Sequence, residues 1–231
     1  MLVTPATLSL ELTVGNGVQE SAMESRFEEV ITIHERLREI IGLPGHRVAR
    51  KAIDHIDDIC RRFIAASPFV MVATRGADGR LDVSPKGDPA GFVAVLDDHT
   101  LAIPDRYGNN RLDTFENLLT NTAVGLFFII PGNNDTLRVS GKGQIVIDRS
   151  LQDRLAVNGK APRLVLIVTV EEAFAHCSKC MVRSKLWKPH EWPDRTNVPT
   201  LAEAMVAHAK LSESVAEMQA IIDNDSATRL Y

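Results

Sequence analysis

A short polar stretch, IPDRYGNNRLDTFENLL at residues 103–119, places guanidinium and amide groups directly before a helical pattern. It contributes two arginines, a glycine and two asparagines: Arg106, Gly108, Asn109, Asn110 and Arg111. A helix start presents unpaired N–H groups and the positive end of the dipole, and guanidinium forks match phosphate oxygens. The stretch therefore predicts an anion site that suits phosphate. The alternative is a surface loop whose arginines pair with Asp105 and Asp113.

A second polar cluster, DVSPKGD at residues 82–88, falls on a predicted strand. Ser84 and Lys86 are two residues apart, so both face the same side of a sheet. Pro85 between them lacks a backbone donor, which is typical of an edge strand. We expect Ser84 and Lys86 to join the two arginines in one anion site, and the alternative is a solvated edge strand.

A third cluster, CSKCMVRSKLW at residues 177–187, combines donors with an indole ring. Arg183, Ser184 and Lys185 supply donors, and Trp187 supplies a flat apolar face. Together with the anion site, this composition suits a phosphorylated aromatic ligand. The alternative is a Trp packed in the core beside solvated basic residues.

The cysteines suggest less chemistry. Cys177 and Cys180 form a CxxC beside His176, but zinc takes four ligands and no second pair is found. We expect structural or incidental thiols and no metal, with a redox pair and a metal site as the alternatives. Cys60 lies in an amphipathic pattern that predicts burial. The sequence has no HExxH, GxSxG or P-loop, so a hydrolase built on a nucleophilic triad is unsupported.

Composition limits the remaining classes. The 231 residues are 45% hydrophobic with a net charge of −4 and interspersed signs, which argues against a broad nucleic-acid footprint. No apolar run approaches the roughly 18 residues of a membrane span, and the first residues lack the basic start of a secretory signal. Three cysteines make no disulfide framework. We expect a soluble cytoplasmic protein without membrane or nucleic-acid partners.

The elements that position these clusters begin with two helical patterns. One spans residues 21–41 and stops at GLPG, and the other follows, with Asp54 as its cap and Ser67-Pro68 as its end. Residues 1–20 read as a loose extension or a late strand. Between residues 69 and 175, six or seven β-patterns with tight turns predict a closed antiparallel barrel, with a sandwich as the alternative. Gly141 and Gly143 mark a bulge or barrel corner.

Shorter helices complete the pattern. One follows the polar stretch, with Leu112, Phe115, Leu118 and Leu119 facing inward, and another covers about residues 149–156. A longer helix at 200–222 opens with a capping box formed by Thr200 and Glu203. This predicts an N-terminal helical extension at 1–60, a β domain at 61–190 and a helical tail at 191–231.

Four segments in order resemble a known family. They are SPFVMVATRGADGRLDVSPKGD, LAIPDRYGNNRLDTFENLLTN, GLFFIIPGNNDTLRVSGKGQIV and KCMVRSKLW, spanning roughly residues 60–190. Together they resemble the pyridoxamine 5′-phosphate oxidase-related FMN-binding proteins, within the bacterial branch that carries SPKGD, DRxGNxRxDxxxNL and RSxLW. The resemblance implies a mainly β fold with flanking helices, a six-stranded antiparallel split β-barrel, and a homodimer with FMN at the interface.

The resemblance also assigns roles. Ser84 and Lys86 would line the flavin, and four loop residues would hold its phosphate and ribityl chain: Arg106, Asn109, Asn110 and Arg111. Arg183, Ser184 and Trp187 would approach from the second subunit or close the site.

The implied function is that of an FMN-dependent oxidoreductase acting on a small molecule. Lys86 is the candidate for stabilising the reduced flavin. The alternatives are a flavin carrier or sensor without turnover, haem or deazaflavin in a similar barrel, and a barrel without ligand. The Arg-x-His of true pyridoxamine-phosphate oxidases is missing from the tail DNDSATRLY, which argues against vitamin B6 oxidation.

Overall fold

The structure, a computed structural model, describes residues 26–231. The predicted extension at 1–20 and the start of the predicted helix at 21–41 lie outside the described residues. The chain divides into two compact units, Met1–Ala49 and Arg50–Tyr231, which are described separately.

The first unit contains two short helices, α1 (His34–Ile41) and α2 (His46–Ala49). The helix predicted from residue 21 is therefore too long, because residues 26–33 are not helical. The run VITI at 30–33 explains the shortfall, since β-branched side chains lose rotamer freedom in a helix. Gly42, at φ 76°, ends α1 where GLPG predicted the stop.

The second unit opens with helix α3 (Asp58–Ala66), which ends at Ser67 before Pro68 as predicted. The predicted cap, Asp54, is wrong. The side chain of Asp57 instead accepts a hydrogen bond from the Cys60 N–H, at 2.8 Å. This shift of the start leaves Asp54 in an ion pair with His55 at 2.9 Å.

Seven antiparallel strands form one sheet in the second unit. They are β1 (Phe69–Arg75), β2 (Leu81–Gly87), β3 (Ala94–Asp97), β4 (Thr100–Pro104), β5 (Ala123–Ile129), β6 (Thr136–Val146) and β7 (Val165–His176). Their order across the sheet is β2-β1-β5-β6-β7-β4-β3. The prediction of a mainly antiparallel β fold with flanking helices is confirmed.

The closed six-stranded barrel is wrong. The sheet has seven strands, and within residues 26–231 its two edges, β2 and β3, do not pair with each other. β2 contains Pro85, which has no N–H to donate to a further strand, and β3 is only four residues long. Pro85 does lie on an edge strand, as its position in the sequence predicted.

Alternating burial shows how the core forms. In β6 the exposed and buried residues alternate over Leu137–Gly143, so one face packs inward and the other faces outward. The inward face joins Ile56, Ile64 and Phe115 in the main core. The register shifts between Ser140 and Gly141. A Cβ on Gly141 would lie 2.0 Å from the Thr169 carbonyl oxygen, so the predicted bulge requires glycine there.

Five further helices flank the sheet: α4 (Asp113–Thr120), α5 (Arg149–Arg154), α6 (Lys179–Ser184), α7 (Leu201–Ala209) and α8 (Val215–Thr228). A 3₁₀ turn covers Pro189–Glu191. In α4, Phe115 and Leu118 are buried as predicted, whereas Leu112 and Leu119 are exposed.

The single helix predicted at 200–222 is also wrong, because Lys210 adopts φ 52° and separates α7 from α8. The predicted Thr200–Glu203 capping box is present, and a second one at Ser214 and Glu217 starts α8. None of the described helices has the length and apolar character needed to cross a membrane.

Candidate functional site

A cleft of about 160 Å³ lies between β2, the loop at 105–112 and the start of α4. We call it the β2 cleft. It brings together six of the nine residues predicted to bind the cofactor: Ser84, Lys86, Arg106, Asn109, Asn110 and Arg111. It is also lined by Asp82, Asp105, Gly108, Leu112, Asp113, Thr114 and Phe115.

The strand residues enter the cleft because of their register. Lys86 and Ser84 lie opposite the fully buried Val70 and Val72 of β1, so both point to the inner side of the sheet. The Lys86 Nζ lies 5.8 Å from the centroid of the Phe115 ring. The cleft thus receives one cation whose position is supported by an aromatic face.

Arg106 is held firmly at one end of the loop. Its Nε donates to Asp88 Oδ2 at 2.5 Å, and its Nη2 donates to the Leu155 carbonyl oxygen at 2.8 Å. The Asp88 side chain is fully buried and that of Arg106 is 15% exposed. The remaining nitrogen, Nη1, is buried and finds no hydrogen-bond partner among residues 26–231. A buried unpaired guanidinium nitrogen favours an acceptor supplied by a ligand.

Arg111, at the other end, makes only exposed contacts. Its Nε donates to Asp113 Oδ2 at 2.8 Å, and its side chain is 75% exposed. This bond with Arg111 lowers the pKa of Asp113. The surface-loop alternative predicted that the arginines pair with Asp105 and Asp113. Arg111 does pair with Asp113, but Arg106 pairs with Asp88 and not with Asp105.

The start of α4 carries no side-chain cap. Leu112 holds the N-cap position at φ 59°, and no side chain in the described part of the chain caps the first turn. Neither Asn109 nor Asn110 caps the helix. Asn109 Oδ1 instead accepts from the Arg111 N–H at 3.1 Å, and Asn110 adopts φ 58°. The first N–H groups of α4 remain available to an anion.

Asp105 introduces a negative group into this positive site. It is half-buried, and burial raises the pKa of its carboxyl. The nearby charges of Lys86, Arg106 and Arg163 act in the opposite direction. Desolvation is the larger effect, so the site disfavours the charge on Asp105.

Sequence reasoning missed the residues that brace Arg106. Asp88 Oδ1 accepts from the Tyr231 hydroxyl at 2.7 Å, while its Oδ2 holds Arg106. The Arg106 guanidinium also lies 5.9 Å from the Tyr231 ring centroid. Asp88 is the last residue of the SPKGD segment, and its position close to Lys86 could have indicated that it lies near the site. Tyr231, 143 residues further along the chain, gave none.

The third predicted cluster does not enter the β2 cleft of the same chain. The Trp187 Nε1 donates to the Asn133 carbonyl oxygen at 2.7 Å, and the Ser184 hydroxyl donates to the Met181 carbonyl oxygen at 3.2 Å. Arg183 is exposed on α6. Their predicted approach to a flavin from a second subunit stays a prediction.

The cysteines are separate from the cleft. Cys177 and Cys180 are exposed free thiols, and Cys60 is buried as predicted. Burial raises the pKa of the Cys60 thiol to about 11. Within the described part of the chain, no group of three or more His, Cys, Asp or Glu side chains is placed to hold a metal ion.

Solved structures of low identity resemble parts of this chain. HupZ of Group A Streptococcus is 21% identical over 53% of this chain and 95% of its own, with a TM-score of 0.45. An FMN-binding protein of Syntrophomonas wolfei is 14% identical over 69% and 97%, with a TM-score of 0.41. The General Stress Protein 26 of Bacillus anthracis is 15% identical over 49% and 88%, with a TM-score of 0.39.

A search of the curated proteins finds no match. The family model for pyridoxamine 5′-phosphate oxidase, in contrast, matches residues 56–177, more than half of the 231 residues. The matched range contains all seven strands of the sheet and every residue that lines the β2 cleft. The chain therefore belongs to the pyridoxamine 5′-phosphate oxidase family.

Proposed function

We propose that this protein is an FMN-dependent oxidoreductase that binds the flavin phosphate in the β2 cleft. The observation that carries the proposal is the buried, unpaired Nη1 of Arg106 beside the uncapped start of α4. Lys86 and Arg111 add two cations to the same cleft. A phosphate dianion would supply acceptors for all of these donors.

The size of the cleft supports a site completed by a second surface. Sites that enclose a cofactor-sized ligand usually measure about 300–1,000 Å³, whereas the β2 cleft measures about 160 Å³. We propose that it holds the phosphate and ribityl end and that a second copy of the chain covers the ring. Arg183, Ser184 and Trp187 of that second copy are the candidates for this contact.

The outer face of the sheet supports such a second copy. Met71, Val83 and Phe127 lie on the side opposite the core and, with Phe174, line a concavity of about 390 Å³. Val83 is 52% exposed. The exposed face of an antiparallel sheet is ordinarily polar, and a larger apolar patch is typical of an interaction surface.

The residues of the chain would bind and orient, while the cofactor would supply the redox chemistry. When bound, FMN accepts or donates a hydride or electrons. Arg106 and Arg111 would fix the phosphate end, and Ser84 would donate a hydrogen bond from the strand. Lys86 would stabilise negative charge on a ligand in the cleft, because it carries a fixed cation there.

The test begins with the visible spectrum of freshly purified protein and mass spectrometry of the released ligand. We expect flavin absorbance and the mass of FMN. Arg111→Ala is expected to weaken FMN binding about tenfold, the effect of losing one charge-assisted contact. Lys142→Ala is the matched control, since Lys142 pairs with Glu171 in an exposed position outside the cleft.

Three results would overturn parts of the proposal. A haem or deazaflavin spectrum, or a colourless protein that ignores added FMN, would remove FMN as the cofactor. A bound flavin that NAD(P)H and candidate substrates never reduce would favour a carrier. For the dimer, Val83→Asp is expected to give monomers by light scattering and to release flavin, and a monomer with native flavin affinity would refute the interface.

A further inference from the structure

A second cleft, of about 260 Å³, lies on another side of the loop at 105–110. We call it the Lys160 cleft. Its lining residues are Asp105, Arg106, Tyr107, Gly108, Asn110, Lys160, Ala161, Pro162, Arg163 and Tyr231. Only four of these also line the β2 cleft, so the two sites are adjacent but distinct.

The segment that carries Lys160 is braced locally. Val157 and Lys160 exchange two backbone hydrogen bonds, at 3.1 and 2.9 Å, around a tight turn. Asn158 at φ 52° and Gly159 at φ 74° occupy the central positions of that turn. Both left-handed residues match the type I′ turn that Asn-Gly favours. Lys160 therefore projects from a defined turn, which limits the entropy lost when it contacts a ligand.

The backbone at Arg163 is fixed from a helix. The side-chain amide of Gln152, on α5, donates to the carbonyl oxygens of Pro162 and Arg163, each at 2.9 Å. Arg163 then leads directly into β7, where Val165 is fully buried. The Arg163 side chain is exposed, but the backbone from which it projects is held by helix α5 and by the central strand β7.

The charge of the Lys160 cleft is positive. Lys160, Arg163 and Arg106 line it with a single side-chain carboxyl group, that of Asp105, whose ionised form is disfavoured by burial. Because Arg106 already pairs with Asp88, the cations that are left for a ligand are Lys160 and Arg163. The Arg163 guanidinium makes no hydrogen bond or ion pair within residues 26–231. An unpaired guanidinium and a lysine at the same cleft favour an anionic ligand.

An oxygen acceptor already occupies part of the cleft. The Lys160 Nζ donates to the Tyr231 carbonyl oxygen at 2.6 Å. This contact shows that the lysine head reaches an oxygen inside the cleft at charge-assisted distance. Tyr107 and Tyr231 are the aromatic residues of its lining, and the Arg229 guanidinium lies 4.4 Å from the Tyr107 ring centroid.

We propose that the Lys160 cleft is a second ligand site, which takes a small aromatic molecule bearing an oxyanion, a carboxylate or a phosphate monoester. Lys160 and Arg163 bind the oxyanion, and the tyrosine walls contact the ring. The ligand displaces the Tyr231 carbonyl oxygen from Lys160. The site does not depend on the proposed flavin function, because Lys160 and Arg163 lie outside the β2 cleft.

Isothermal titration calorimetry of the purified full chain, run with and without added FMN, tests the proposal. Phenyl phosphate and benzoate are the aromatic probes, and inorganic phosphate and acetate are their counterparts without a ring. We expect at least one aromatic probe to bind more tightly than its counterpart. Lys160→Ala/Arg163→Ala is expected to weaken that binding at least tenfold, because charge-assisted hydrogen bonds are lost.

The matched control is Lys142→Ala/Arg149→Ala, which removes two positive charges from exposed ion pairs elsewhere. Control binding equal to that of the native protein supports the site. If both double variants lose the same affinity for the probe, net charge alone explains the effect and the proposed site is overturned. Absence of binding by any probe, or equal binding with and without the ring, would also overturn it. Arg111→Ala should weaken FMN but not phenyl phosphate, which separates the two sites.

Discussion

The two ends of the loop at 105–112 carry the same residue type in opposite environments. At one end Arg106 is 15% exposed and bonded to a fully buried carboxylate and a backbone carbonyl. At the other end Arg111 is 75% exposed and pairs with Asp113, its neighbour in the first turn of α4. Both arginines line the β2 cleft. Burial, and not residue type, therefore separates a fixed cation from an adaptable one.

In the proposed anion site, the two arginines would have different roles. Arg106 donates to the protein through two of its three guanidinium nitrogens, and the third is buried without a partner among residues 26–231. Arg111 can leave its partner Asp113 at little cost in stability, since exposed ion pairs contribute little to stability. A site with one fixed and one adaptable cation combines preorganisation with access for the ligand.

The largest expected effect comes from removing the buried arginine. Arg106→Ala leaves the fully buried Asp88 carboxylate without its ion-pair partner. Removing one member of a buried pair costs about 3–5 kcal/mol, so the free energy of unfolding should fall by about that amount. Urea denaturation followed by circular dichroism measures it.

Arg111→Ala is the matched control for that variant, because it removes the same side chain from the exposed end. Its unfolding midpoint should fall far less than that of Arg106→Ala, because the exposed pair with Asp113 contributes little to stability. Equal losses of stability in the two variants would contradict the contrast between the ends. A loss in neither would show that Asp88 finds another donor when Arg106 is absent.

The sequence predicted which groups meet in the β2 cleft but not how each is held. Ser84 and Lys86 share a face because strands alternate strictly, and Arg106 and Arg111 flank them because the loop is short. The surface-loop alternative offered Asp105 and Asp113 as partners of the arginines, whereas Arg106 pairs with Asp88. That pairing depends on how β2 lies against the loop, which no local pattern encodes.

The same limit applies to the fold. All seven strands follow from alternation and turn residues, which are local signals. Whether the edges of the sheet close is a global property, and the closed barrel was wrong. The start of α3 moved from Asp54 to Asp57 because several aspartates compete as caps. The second capping box, at Ser214, was a local signal hidden inside a continuous helical pattern.

A smaller effect is expected from the hydroxyl that braces the buried end. Tyr231→Phe removes the donor to Asp88 Oδ1 but keeps the ring beside Arg106. The buried carboxylate loses one hydrogen bond, so the melting temperature should fall by about 2–4 °C. Differential scanning calorimetry measures the shift. Tyr107→Phe is the control, since the Tyr107 hydroxyl makes no hydrogen bond within the described residues, and an equal shift would contradict the bracing role.

The smallest effects are expected at two carboxyl groups, Asp105 and Asp113, whose ionisation should change the stability of the fold in opposite directions. Burial raises the pKa of Asp105, whereas the bond with Arg111 lowers that of Asp113. Because its pKa is raised, ionised Asp105 destabilises the fold. This destabilisation is complete above the folded pKa and disappears below the unfolded pKa of about 3.9. A lowered pKa means that ionised Asp113 stabilises the fold above that unfolded value, and this contribution is lost as the pH falls through the folded pKa.

Asp105→Asn should therefore raise the free energy of unfolding at pH 7, and Asp113→Asn should lower it. The Asp105→Asn difference should shrink as the pH is lowered towards 4, because the raised pKa of Asp105 lets the native carboxyl protonate there. The Asp113→Asn difference should persist at pH 4 and shrink only at lower pH, because the pKa of Asp113 is lowered. Urea denaturation at several pH values measures both variants. If Asp105→Asn also lowers stability at pH 7, the cations Lys86, Arg106 and Arg163 outweigh desolvation at Asp105. The buried end would then hold its carboxylate as the exposed end does, and the electrostatic contrast between the two ends would be wrong.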